Sequence, residues 1–295
     1  MPEATHTTAK MMAEGMLLER FALYDRALER YRAAAASHDP AIRARALRRQ
    51  SDVFRALCQW DAAINHARES AYIAENSGLT EIFTEALNAE ATVLATRGEL
   101  DRALALFRRI LALTHTDALR GVVLQNLGTT LAMQCSFAEA DALFEQSQEC
   151  CDRAGFKRGI AAALTNRGAV ALEQGDLERA RVQFDRALAV AHQLEDLDYI
   201  AMATLNSAEC HALSDDYRHA EDLASTALGY FTTAGNHWRR IECMRLFGDI
   251  RLRQQDARTA ERAYRFGLDL ARRIGARVEE QVLASRLEEL VGAAH

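Results

Sequence analysis

One spacing recurs along this chain: a small residue is followed twelve positions later by an alanine. The seven pairs are Gly15/Ala27, Ser51/Ala63, Ala91/Ala103, Gly128/Ala140, Gly168/Ala180, Ala208/Ala220 and Gly248/Ala260. Successive pairs are separated by 36, 40, 37, 40, 40 and 40 residues. A nearly fixed period of this length is typical of stacked supersecondary units that pack on their neighbours, rather than of one globular core.

Within one repeat, apolar residues recur at helical spacing on both sides of a short polar break. In residues 160–191 the break falls at residues 174–176, and a second apolar set begins at Leu177. This pattern predicts two antiparallel helices joined by a tight turn. Gly168 and Ala180 fall where the two helices cross, so their small side chains would let the helix axes approach to about 8 Å.

Two further positions repeat in step with the alanines. Aromatic residues stand four positions after five of them and are expected to wedge between one unit and the next: Tyr31, Phe107, Phe144, Phe184 and Tyr264. Burial of each ring contributes about 2–3 kcal/mol before entropy is counted. Glycines that would end second helices in the left-handed conformation stand at Gly78, Gly155, Gly235 and Gly275.

These positions resemble the tetratricopeptide repeat (TPR) family, in its variety with repeats of roughly 40 residues. The small position, the alanine and the aromatic residue carry the resemblance, which covers residues 8–275. It implies an all-α fold, a right-handed superhelical solenoid of about seven helix pairs. We expect residues 1–7 to be a frayed N-terminus and residues 276–295 to form a capping helix, over Arg277–Val291, and a tail.

Composition and charge limit the localisation, partners and cofactors expected for such a protein. The chain has no apolar run of membrane-spanning length, and its first residues lack a signal-peptide pattern, so we expect a cytoplasmic protein without a membrane partner. The net charge of −6 argues against nucleic acid as a partner. The six cysteines lack metal-site spacing and are expected to be reduced, and neither a metal nor a cofactor is predicted.

The resemblance places the binding groove on the first helix of each pair. There Asn126, Asn166 and Asn206 occupy one repeat position at intervals of 40 residues. An amide both donates and accepts, so a row of asparagines could hold the main chain of an extended peptide. Alternatively, each asparagine bonds a backbone carbonyl of the adjacent repeat and orders the stack. Three neighbours are also predicted to contact the partner: Gln125, Thr165 and Glu209.

A second candidate is the Arg43–Arg55 face of the second repeat. Helical spacings of three and four bring together Arg45, Arg48, Arg49, Asp52 and Arg55. Such a face could receive a carboxylate, a phosphate or an acidic peptide, and RNA or a nucleotide is the less favoured occupant. The alternative is that these arginines are solvated or paired internally with acids such as Asp52.

The first helix of the opening repeat carries Met11, Met12 and Met16, and we expect no cap before it. These methionines either belong to the core of the first repeat or form an exposed end. An exposed end would dock a partner helix or a second copy of the chain, giving a homodimer.

No catalytic site is predicted. The nine histidines are scattered, and His211 and His219 lack acid partners at ligand spacing. Cys210 and His211 are sequence neighbours on a helix, where side chains point about 100° apart, so they do not pair as nucleophile and base. The sequence therefore predicts a non-enzymatic interaction scaffold that binds a peptide or helix of a partner protein, with regulation as one role. The alternative is a regulatory module that senses a small peptide or metabolite.

Overall fold

The computed structural model describes residues 2–20, 23–57, 59–274 and 276–292, and over these ranges it contains α-helices and turns but no strand. The helices are α1 (Pro2–Arg20), α2 (Tyr24–Ala35), α3 (Pro40–Ala56), α4 (Trp60–Asn76), α5 (Thr80–Thr96), α6 (Leu100–Leu113), α7 (Asp117–Met133), α8 (Phe137–Arg153), α9 (Lys157–Glu173), α10 (Leu177–Gln193), α11 (Leu197–Leu213), α12 (Tyr217–Thr233), α13 (His237–Arg253), α14 (Ala257–Ile274) and α15 (Arg277–Gly292). The predicted all-α repeat fold is confirmed: α1 to α14 form seven helix pairs, and α15 follows them.

Left-handed residues end many of these helices, as the glycine pattern predicts. Positive φ angles occur at the predicted Gly78, Gly155 and Gly235, whereas Gly275 lies outside the described residues. The same conformation is found without glycine at Cys135, Glu195, Asp215 and Gln255, with φ between 51° and 63°. Glycine is therefore a sufficient signal for a repeat turn but not a necessary one.

The recurring spacing of twelve has a direct packing reason, visible in the aromatic ring four residues after the alanine. A Cβ added to Gly128 would lie 2.7 Å from Cε1 of Phe144, and the Phe184 ring lies still closer to Gly168. Each ring thus fills the space that the glycine of its own pair leaves. Phe184 also shares a buried cluster with Cys210 of the next pair, so the rings lie both within and between units.

The chain divides into two compact units, residues 1–159 and 160–295. In the first unit, the first helices of successive pairs touch one another: α1 meets α3, α3 meets α5, and α5 meets α7. In the second unit α11 likewise meets α13. Each unit therefore presents its first helices side by side, which is where the sequence predicts a binding groove.

The last helix, α15, covers the apolar face of α14. Leu283 is fully buried in a cluster with Tyr264, Leu268 and Ala271, and Leu287 packs against its edge. Helix α15 thus buries the apolar face of α14 as a further repeat would in a stack of repeats.

Helix α1 lies at the N-terminal end of the described residues, and the frayed segment over residues 1–7 stays a prediction. Helix α1 begins at Pro2, and residue 1 lies outside the described residues. Proline is favoured at the first helical position because its missing N–H has no partner there in any case. Met11 and Met12 are half-buried, whereas Met16 is 43% exposed.

No described helix combines the length and the apolar character that crossing a bilayer requires.

Candidate functional site

In the first unit, the Arg43–Arg55 face is largely occupied by internal ion pairs. Arg48 contacts Asp52 at 3.0 Å and Glu85 of α5 at 3.2 Å. Arg49 lies 3.9 Å from Asp52 and 4.0 Å from Glu19 of α1. Two of the predicted binding arginines are thus bridged to neighbouring first helices, which is the internal pairing that the sequence left open.

The remaining arginines of this face stand differently. Arg45 is exposed and Arg55 is half-buried, and Arg43 pairs with Glu69 of α4 at 3.2 Å. The carboxyl of Glu19 also accepts a hydrogen bond from the Tyr31 hydroxyl at 2.7 Å. Burial raises the pKa of Glu19 above its ordinary value, against the lowering effect of that hydrogen bond. A phosphate or carboxylate would have to compete with these acids.

Asn126 shows how the asparagine position is used in the first unit. Its Nδ2 donates to Oδ1 of Asn88 at 3.0 Å and lies 3.4 Å from Oγ1 of Thr92, both on α5. The expected structural role was a bond to a backbone carbonyl, and that detail is wrong for Asn126: its amide reaches side chains of the adjacent repeat. The adjacent Gln125 is half-buried.

The other predicted polar contacts lie in the second unit. Asn166 on α9 and Asn206 on α11 are half-buried. Thr165 donates its hydroxyl hydrogen to the carbonyl of Ala161 at 2.9 Å, so only the oxygen lone pairs remain for a ligand. Glu209 lies one turn beyond Asn206 on the same helix.

Glu209 forms part of an open cleft of about 350 Å³ between α11, α13 and α15. Its lining is Glu209, Ala212, Leu213, Arg245, Leu246, Asp249, Leu252, Arg253 and Arg286. Three arginines face two carboxylates there, so the cleft carries one excess positive charge, whereas the whole chain has a net charge of −6.

Asp249 is the centre of the charge network in this cleft. It lies 3.3 Å from Arg245 and 3.6 Å from Arg286, and it accepts a hydrogen bond from the Tyr264 hydroxyl at 2.7 Å. Burial and the Asp249 hydrogen bond both raise the pKa of Tyr264, so its hydroxyl stays a donor. Two arginines and one tyrosine hydroxyl thus hold the Asp249 carboxylate in place. Arg253 is exposed and faces solvent.

Glu209 is the more weakly held acid of the cleft. Its carboxylate lies 3.9 Å from Arg245. Burial raises the pKa of Glu209, Arg245 lowers it, and the nearby carboxylates of Asp249 and Glu242 raise it again. Whenever Glu209 takes up a proton, the positive excess of the cleft increases.

His211 and His219 share an acid partner, contrary to the prediction from their spacing in the sequence. Asp216 lies between them. Its carboxylate is 3.1 Å from Nδ1 of His211 and 2.8 Å from Nδ1 of His219. The turn between α11 and α12 folds the two helix ends together, a closeness that spacing along one helix could not reveal.

Two buried cysteines, Cys210 and Cys243, are not activated nucleophiles, because their thiols have raised pKa values. Burial raises the pKa of the Cys210 thiol to about 12, and that of Cys243 likewise to about 12. Thiols of this kind remain protonated at neutral pH and do not attack carbonyl or phosphoryl groups.

Comparisons with known proteins identify the repeat. The sequence profile of the tetratricopeptide repeat family matches residues 159–233. No curated protein matches this sequence.

Solved structures extend the likeness in fold beyond those residues. A Rap conjugation gene regulator of plasmid pLS20, in complex with a Phr peptide, is 15% identical with a TM-score of 0.74, covering 91% of this chain and 74% of that chain. The apo quorum sensor NprR from B. thuringiensis is 15% identical with a TM-score of 0.70, covering 88% and 75%. Aspartyl phosphate phosphatase F from Bacillus subtilis is 11% identical with a TM-score of 0.70, covering 88% and 69%.

At these identities the similarity concerns the fold alone. The helix pairs seen here correspond to those of the three solved structures over most of the chain. Residues 159–233 thus match the tetratricopeptide repeat family, and the chain as a whole shares the helical fold of these solved structures.

Proposed function

We propose that this chain binds a peptide segment of a partner protein along the first helices of its repeats. The observation that carries the proposal is the cleft of the second unit, with three arginines and two acids between α11, α13 and α15. Because arginine binds carboxylates through two parallel hydrogen bonds, a surplus arginine favours the C-terminal carboxylate or an acidic side chain of a peptide.

Within this proposal Arg253 is the group that meets the peptide carboxylate. Arg245 and Arg286 are committed to Asp249, whereas Arg253 is exposed at the wall of the cleft. Asn206, on the same helix as Glu209, would then contact the peptide main chain, and Asn166 the residues further along. The asparagines keep both roles in this scheme, since Asn126 already bonds to the neighbouring repeat.

The test begins with linear peptides selected from a random library on the immobilised full chain. Binding of a selected peptide is then measured by fluorescence anisotropy, with its C-terminus free and amidated. Arg253→Ala should weaken binding of the peptide with a free C-terminus by about tenfold or more. The reason is that a hydrogen bond to a charged group contributes about 1.5–3 kcal/mol. Arg265→Ala is the matched control, since Arg265 is exposed on the second helix α14 and pairs with Glu261.

Equal affinities of the Arg253→Ala and Arg265→Ala variants would contradict the placement of the peptide in this cleft. The asparagines are tested in the same assay with Asn166→Ala and Asn206→Ala, after circular dichroism has shown that both variants fold. Unchanged affinity would assign these asparagines a purely structural role.

A second function, sensing of a small peptide or metabolite, is favoured by the folds in the comparison. One of them is a Rap regulator in complex with a Phr peptide and another is a quorum sensor. If this chain is a sensor, a small ligand alone should raise its melting temperature without any protein partner, because a ligand that binds the folded state stabilises it.

We infer a binding role rather than a catalytic one. The raised pKa values of Cys210 and Cys243 support this, whereas the similar fold of an aspartyl phosphate phosphatase makes a direct assay worthwhile. Hydrolysis of acetyl phosphate by the purified chain above the uncatalysed rate would overturn the inference.

Nucleic acid at the Arg43–Arg55 face is the least supported option. The ion pairs of Arg48 and Arg49 reduce the positive charge available there. RNA binding at this face would weaken steeply with salt.

A further inference from the structure

We propose that His211, Asp216 and His219 form a binding site for a transition-metal ion such as Zn²⁺, at the turn between α11 and α12. One ligand atom from each of the three side chains lies within 4.8 Å of the others. The site lies on the second unit and is formed by residues outside the lining of the cleft described above.

The three side chains lie close enough together to share one ion. The nitrogen–oxygen separations are 3.1 Å between His211 Nδ1 and Asp216 Oδ2, and 2.8 Å between His219 Nδ1 and the same oxygen. Ligands bound tetrahedrally at the usual 2.0–2.2 Å from zinc are about 3.3–3.6 Å apart. Both separations are shorter than this distance, so side-chain rotations that widen them would make room for the ion.

Imidazole nitrogen with one carboxylate oxygen is a ligand set that suits zinc, copper, nickel and iron, rather than calcium or magnesium. Two histidines and one acid leave a coordination position open, as in zinc sites that keep a water molecule. Asp216 and His219 are partly exposed and His211 is half-buried, so an ion could enter from solvent.

Two neighbouring repeats carry an aspartate at the turn position of Asp216. The carboxylates of Asp176 and Asp256 accept the N–H of Arg179 at 3.0 Å and of Thr259 at 3.1 Å. These are ordinary helix N-caps. In these two repeats the aspartate therefore caps the second helix without histidines beside it.

Asp216 differs from these caps in the groups that its carboxylate contacts most closely. Its capping hydrogen bond, from the N–H of His219, is 3.5 Å long, whereas its contacts with the two imidazoles are shorter. The carboxylate is therefore directed toward the rings more than toward the helix end.

The experiment is a calorimetric titration of the full chain with Zn²⁺, in a Cys135→Ser background that removes the exposed thiol. We expect one saturable site. His219→Ala and Asp216→Asn should each weaken zinc binding at least about tenfold. Even the loss of a residue that only hydrogen-bonds a metal ligand has an effect of this size. Asp216→Asn is the decisive variant, because asparagine caps a helix as well as aspartate does and the fold is preserved.

Asp176→Asn is the matched control, since it makes the same change at the same turn of the preceding repeat and should leave zinc affinity unchanged. A second readout is the visible absorption of bound Co²⁺, which should appear with the parent chain and disappear in His219→Ala. Absence of saturable binding, or equal affinity in the Asp216→Asn and Asp176→Asn variants, would overturn the proposal.

Discussion

At the scale of single residues, the fold depends on places where a missing side chain makes room for a ring. Gly128 is such a place, because an added Cβ would lie 2.7 Å from Cε1 and 3.0 Å from Cδ1 of Phe144. Phe144 is buried and cannot swing into solvent. The glycine is therefore required by packing and not by backbone conformation.

We predict that Gly128→Ala destabilises the protein by about 1–3 kcal/mol, the usual cost of overpacking a filled core. Gly229→Ala is the control, because Gly229 is also helical and an added Cβ there meets nothing within 4 Å. It should stabilise by up to about 1 kcal/mol through helix propensity. Melting temperatures by circular dichroism distinguish the two; a shift of the same sign in both variants would refute the packing argument.

Glu209 is expected to make the stability of the protein depend on pH. Because folding raises its pKa, the folded state holds the proton more tightly than the unfolded state does. Its favourable contribution is complete below the ordinary pKa of 4.5 and is lost as the pH rises through the folded-state pKa.

Glu209→Gln should accordingly raise the melting temperature near pH 7.5, and the advantage should vanish as the pH falls below 4.5. The effect is expected to be small, since 37% of the side chain is accessible and solvent screens its charge. A difference between the variant and the parent chain that stays constant from pH 4 to pH 8 would show that another property of the substitution is responsible.

At the scale of elements, α15 both covers α14 and supplies a residue of the candidate site. Leu283 on its buried face covers α14, and Arg286, three residues later, reaches Asp249 at the wall of the cleft. Packing of the capping helix therefore positions part of the candidate binding site.

Leu283→Ala should cost about 2–5 kcal/mol, because the side chain is fully buried and its removal leaves a cavity. Val282→Ala, on the exposed side of the same helix, should change stability by less than about 0.5 kcal/mol. Urea denaturation of both variants provides the measurement. A loss of stability in Val282→Ala that equals the loss in Leu283→Ala would mean that α15 packs in another orientation.

At the scale of the whole molecule, stability is expected to be local. Helices contact their sequence neighbours and the first helix of the next pair, so most interactions connect adjacent repeats. In such a chain the free energy of unfolding is a sum of repeat and interface contributions, and different regions open separately.

We therefore predict that Leu283→Ala accelerates amide hydrogen exchange in α13, α14 and α15 while leaving α3 to α6 unchanged. Exchange is followed by mass spectrometry of peptides from the intact protein. Uniform acceleration along the chain would show instead that it opens as one cooperative unit.

Much of the fold follows from the sequence because a repeat period acts through contacts that are short in sequence. The twelve-residue spacing brings a small residue and an alanine to one helix crossing, and a polar break marks each turn. Non-glycine residues in left-handed turns, such as Glu195 and Asp215, escaped prediction, since only glycine signals that conformation in a single sequence.

The sequence by itself determined the helix pairs and their order, because helical periodicity depends on neighbouring residues alone. The tertiary structure decided which polar groups meet. Asn126 reaches Asn88, 38 residues away, Arg48 reaches Glu85, and Asp216 joins two histidines across a turn. These pairings depend on how side chains of separate helices are directed in space, and no spacing along one helix contains that information.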